Sequence, residues 1–93
     1  MSTIVIQSHR SAAMNDWLRC CTASVRDWAG RVGADYRFLG DALFDTLPAD
    51  LRSQWSDWPV VLADIARLRL AEALLAAGHD AVVWADADVL VFA

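Results

Sequence analysis

The sequence predicts an α/β domain, a Rossmann-like parallel sheet with flanking helices. Two observations carry this. Short apolar or β-branched runs alternate with longer helical patterns, in the order β-α-β-irregular-α-β. The last of these runs, opening at Val82, is apolar without alternation, as in a strand covered on both faces. Of the 93 residues 57% are hydrophobic and 22% charged, which excludes disorder as the main state.

Thr3 to Gln7 reads as the first strand, β-branched and apolar, and Ser8-His9-Arg10-Ser11 as the turn after it. A helix follows, capped by Ser11 or Asn15, running to about Ala29 and stopping near Gly30 or Gly33. Trp17, Cys21, Val25 and Trp28 form its apolar stripe, expected to be core. Asp16, Arg19, Arg26 and Asp27 form its polar face. A second strand covers about Asp35 to Leu39. Residues 40–57, with Pro48 and several polar letters, read as a loop holding one short helical turn. The second long helix spans Pro59 to Ala77, with Asp57 as cap, Pro59 in the first turn and Gly78 closing the end. It is apolar nearly all round, so protein is expected on most of its sides. The third strand is Val82 to Ala85.

The net charge of −4 and the absence of lysine argue against a nucleic-acid surface. Cys20 and Cys21 are helix neighbours about 100° apart, poorly placed to bridge each other, and read as free thiols of a reducing cytoplasm. The amino terminus lacks the basic and apolar regions of a signal peptide, and no stretch approaches membrane-spanning length. A cytoplasmic setting follows as the expectation, with membrane-peripheral placement compatible with it. The chain stops directly after an apolar strand, so its one domain, residues 1–93, is expected to be the amino-terminal part of a longer fold.

Asp86 and Asp88 stand at the carboxyl end of the third strand, with Ala87 between them and apolar residues on either side. In extended backbone both carboxylates would share a face. Two such charges repel unless a cation sits beside them, and hard ions such as Mg²⁺ or Mn²⁺ take carboxylate oxygens. The plain alternative is a strand ending in a solvated acidic turn. Asp64 and Arg67 are three apart on an otherwise apolar helix. They are either a self-satisfied ion pair or a charged pair aimed at a polar ligand over the sheet's carboxyl edge. In parallel α/β sheets ligands bind outside the carboxyl ends of the strands, which places Ser8, His9 and Arg10 on the same crevice as Asp86 and Asp88. The four glycines make neither G-x-G-x-x-G nor a P-loop, and no nucleophile elbow is present.

Leu62-Ala63-Asp64-Ile65-Ala66-Arg67, then Gly78, then Val83-Trp84-Ala85-Asp86-Ala87-Asp88-Val89-Leu90-Val91-Phe92 resemble the core of GT-A-fold glycosyltransferases. Many of those carry D-x-x-R on a helix, glycine at its end and a strand terminating in D-x-D. The resemblance covers residues 60–92 well and residues 1–40 loosely, as the first β-α-β of the nucleotide-binding half. It implies a glycosyltransferase using a nucleotide-sugar donor and a divalent metal, Mn²⁺ or Mg²⁺. The acceptor, whether saccharide, lipid or protein, stays open. Asp88 would be the direct metal ligand. Asp86 would contact ribose, sugar or metal-bound water, and Asp64 and Arg67 the donor. Where relatives often have two glycines before the strand, this chain has Gly78-His79.

Two other readings stay open. Haloacid-dehalogenase-like phosphatases also place D-x-D after an apolar strand, the first aspartate as nucleophile, although their fifth position is Thr or Val and here it is Leu90. A third reading is an inactive remnant that pairs through its open edge at Val89 to Phe92.

Overall fold

The computed structural model describes residues 2–92. Three parallel strands, β1 (Thr3–Ser8), β2 (Asp35–Leu39) and β3 (Ala81–Trp84), form a sheet in the order β2-β1-β3. β1 pairs with β2 from Ile4 opposite Asp35 to Ser8 opposite Leu39. It pairs with β3 from Thr3 opposite Ala81 to Ile6 opposite Trp84. Helices flank the sheet: α1 (Asp16–Arg31), the short α2 (Ala49–Gln54) and α3 (Pro59–Ala76). The α/β class, the parallel sheet and the element order agree with the sequence expectation, with each boundary within two residues.

The central strand explains the layering. Successive side chains of a strand point to opposite faces. Ile4 and Ile6 accordingly join Leu62, Ala66, Leu70 and Leu74 of α3, with Leu43 and Leu47, in one cluster. Val5 joins Val25 and Ala29 of α1 in the other. Ile4, Val5, Ile6 and Gln7 are all buried, as befits a parallel strand covered on both sides.

Helix ends follow local chemistry. Asn15 caps α1, its side-chain oxygen accepting from the Leu18 amide at 2.9 Å. Both long helices close on a left-handed glycine, Gly33 at φ 75° and Gly78 at φ 112°. The Ala34 amide reaches the Ala29 carbonyl at 2.9 Å, and the His79 amide the Leu74 carbonyl at 3.2 Å, the six-to-one bond of a Schellman ending. The start of α3 differs from expectation. Its cap is Trp58, with no side-chain hydrogen bond, and Asp57 plays no capping part. Pro59, with its fixed φ and no amide to satisfy, starts the helix.

Three further expectations are corrected. Residues 40–57 hold more structure than one turn: a 3-10 helix at Asp41–Thr46 precedes α2, and it buries Leu43 while Leu47 just after it is buried too. α3 is not covered on most sides. Leu62, Ala66, Leu70 and Leu74, four apart, face the sheet, whereas Val60, Val61, Leu68 and Leu75 are exposed. Trp17 is not core. It is 57% exposed, and the buried stripe of α1 begins only at Cys21. Trp28, half-buried, packs on the Val5 cluster. Trp17→Ala is therefore expected to change stability by less than about 0.5 kcal/mol, the usual range for surface positions. Trp28→Ala should cost more than that, and urea melts of the two variants check the order.

Candidate functional site

The carboxyl ends of β1 and β3 open into a cleft of about 310 Å³. Ser8, His9 and Arg10 line it from the turn after β1. Gly40, Asp41, Leu43 and Phe44 line it from the segment after β2, Pro59, Val60, Ala63, Asp64 and Arg67 from α3, and Trp84 and Asp86 from β3 and its exit. The topology dictates this. Parallel strands deliver their carboxyl ends to one edge, and α3 crosses that edge with its amino-terminal half. The structure thus brings together Ser8, His9, Arg10, Asp64, Arg67 and Asp86, six of the seven residues placed at this crevice from the sequence.

Arg67 is the centre of the site. Its guanidinium lies over the Trp84 ring, 4.7 Å from the centroid, a cation–π geometry. One terminal nitrogen, Nη2, stands 3.9 Å from Asp64 Oδ1 and 4.0 Å from Asp86 Oδ1. Arg67 thus ties the D-x-x-R helix to the D-x-D strand. Both separations exceed hydrogen-bonding length, so the carboxylates hold the cation by charge without using its donors. The Nε–H is buried with no hydrogen-bond partner among the described residues. A guanidinium carries five donors in a planar fork, and here that fork is unspent. Asp64 and Asp86 are mostly solvent-exposed, so each pair contributes on the order of 0–1 kcal/mol to stability. An oxyanion entering the cleft would find charge and free donors together.

Asp88 is placed differently. The backbone does not stay extended after β3. Ala87 and Asp88 form a turn, closed by the Val89 amide bonding to the Asp86 carbonyl at 3.1 Å. The two carboxylates therefore do not share a face as in a strand. Asp86 lines the cleft, and Asp88, exposed, does not. The charge of Asp88 reaches Cys21 on α1: burial pushes that thiol above its ordinary value, and the charges of Cys20 and Asp88 push it the same way.

A hard divalent cation is often held by one or two carboxylates, with substrate phosphates and water completing its shell. Asp86 and Asp88 are the two carboxylates that the sequence nominates for that role. Both are exposed, Asp86 within the cleft lining and Asp88 outside it, and Asp88 has no ion pair among the described residues. Those residues gather no cluster of three or more His, Cys, Asp or Glu able to hold a metal unaided. A bound ligand's own oxygens would supply the remainder.

Sequence reasoning missed Asp41 and Phe44, which belong to the 3-10 helix read as loop. It took Trp84 for a strand letter only. It also passed over Gln7, a polar residue at the end of an apolar strand, where burial demands hydrogen-bond partners. Among the described residues no helix is long and apolar enough to cross a membrane. The chain matches no family model, no curated protein and no solved structure in these comparisons.

Proposed function

We propose that this cleft binds the diphosphate of a nucleotide-sugar, and that the chain forms the donor-binding part of a GT-A-type glycosyltransferase. The observation that carries the reading is Arg67, held between Asp64 and Asp86 over Trp84 with its donors unspent, at the carboxyl edge of a parallel sheet. Arginine suits this task because its planar fork matches a phosphate bidentately. Asp88 would hold Mn²⁺ or Mg²⁺, and Asp86 would meet the sugar, the ribose or water on the metal. The cation, when bound, neutralises charge on the departing diphosphate. Ser8 and His9 also line the cleft. The acceptor would be a saccharide, lipid or protein, and the setting cytoplasmic.

The test is calorimetric titration of UDP-glucose and of GDP-mannose, each with Mn²⁺, into the wild type and Asp88→Ala. Binding by the wild type and a loss of about tenfold or more in the variant are expected, since a charged ligand is worth at least one charge-assisted interaction. Folding should be unchanged, because Asp88 is exposed. Equal Mn²⁺-dependent affinity in the two proteins would remove Asp88 from the metal site. Hydrolysis of p-nitrophenyl phosphate in place of sugar-nucleotide binding would point to the phosphatase reading.

A further inference from the structure

Gln7 is fully buried at the end of the central strand. Its neighbours Ile4, Val5 and Ile6 are apolar and buried as well. A buried amide costs free energy unless its donor and acceptor are both used. Here both are. Tyr36 on β2 donates its hydroxyl to Gln7 Oε1 at 2.7 Å. Gln7 Nε2 donates to the Asp86 carbonyl at 3.0 Å. The amide orientation is forced, because a carbonyl can only accept while a tyrosine hydroxyl can do either. Burial favours the protonated hydroxyl of Tyr36, raising its pKa, while Arg26 acts weakly in the opposite direction.

The Asp86 carbonyl is the same atom that receives the Val89 amide and closes the acidic turn. At its far end the segment is tied to α1, the Val91 amide bonding to Ser24 Oγ at 3.0 Å. Between these anchors Ala87 is buried and both aspartates are exposed. The turn therefore has two fixed points, and the one next to Asp86 is a side chain from another strand.

We infer that Gln7, oriented by Tyr36, is a positioning residue that fixes the Asp86–Val89 turn and so aims the Asp86 carboxylate at Arg67 and the cleft. The consequence for binding rests on the cleft being a diphosphate site; the consequence for the turn does not. Neither Gln7 nor Tyr36 lines the cleft. Their effect must pass through the backbone of Asp86.

The test uses Gln7→Met, which keeps length and apolar volume but removes both hydrogen bonds, with two readouts. Residue-resolved hydrogen exchange should show the Val89 amide exchanging about tenfold faster or more, the equivalent of one lost hydrogen bond. The amides of Leu70 and Val25 in the helix cores should keep their protection, which a general loss of stability would not allow. Affinity for UDP-glucose or GDP-mannose with Mn²⁺ should fall by a similar factor. Tyr36→Phe should weaken affinity in the wild-type background and add nothing in the Gln7→Met background. Should Gln7→Met fail to fold, Tyr36→Phe alone carries both readouts. Wild-type exchange at Val89 in the variants would overturn the inference. Accelerated exchange in a protein whose wild type binds neither nucleotide-sugar would uphold the turn anchor and overturn the donor reading instead.

Discussion

Replacing Ile6 by alanine is expected to cost about 2–5 kcal/mol, the range for emptying a buried aliphatic site. Ile6 is wholly inaccessible and lies where the central strand meets α3, in the cluster with Leu62, Ala66 and Leu70. A three-stranded sheet has one interior strand, and both layers of this fold hang on it. A domain of this size has a total stability of about 5–15 kcal/mol, so the loss is a large share of it. The melting temperature should fall by roughly 10 °C or more at about 4–8 °C per kcal/mol. Urea melts monitored by tryptophan fluorescence and by circular dichroism measure it. A loss below about 1 kcal/mol would contradict the central position of β1.

Particular residues show what could be read in the chain beforehand. The unbroken apolar run from Val82 suggested a strand covered on both faces, but β3 is an edge strand with Val83 37% exposed; it is Ile4, Val5 and Ile6 of the central strand that are buried on both faces. Gly30 or Gly33, and Gly78, were expected at helix ends because only glycine takes a left-handed backbone at no steric cost; Gly33 and Gly78 do so, and Gly30 stays inside α1. Asp64, Arg67 and Asp86 converge because parallel strands must present their carboxyl ends together.

What was illegible has physical reasons. Periodicity reveals that a helix has an apolar stripe but not how far the sheet extends beneath it, and Trp17 lies in the first turn of α1, ahead of the buried positions. α3 is so uniformly apolar that its sequence names no preferred face. Tertiary contact chose the stripe at Leu62, Ala66, Leu70 and Leu74 and left Leu68 70% exposed. Leu43 and Leu47 are spaced four apart, but Pro48 and the polar residues around them masked the pattern. The alternation of Asp86, Ala87 and Asp88 suited a strand, yet the hydrogen bond from Gln7 and the burial of Ala87 turn the chain there. That long-range bond spans 79 positions of sequence and leaves no local trace.

Arg67 carries the second large expectation. Arg67→Ala should abolish measurable nucleotide-sugar binding, and Arg67→Lys should weaken it by about tenfold or more, because a point charge cannot reproduce the fork. Stability should respond far less. The pairs with Asp64 and Asp86 are long and partly exposed, and the contact with Trp84 adds about 0.5–1 kcal/mol. A structural role alone predicts the reverse: a stability loss on Arg67→Ala that shrinks when Asp64→Ala is already present, with affinity unchanged.

The most direct measurement is therefore calorimetric titration of UDP-glucose and GDP-mannose with Mn²⁺ into wild type, Arg67→Lys and Arg67→Ala, with a urea melt of each protein alongside. The predicted result is binding by the wild type, a drop of about tenfold or more for Arg67→Lys, no detectable binding for Arg67→Ala, and melts within roughly 3 kcal/mol of one another. Unchanged affinity in both variants would remove Arg67 from the site and contradict the reading of the cleft as a diphosphate-sugar site.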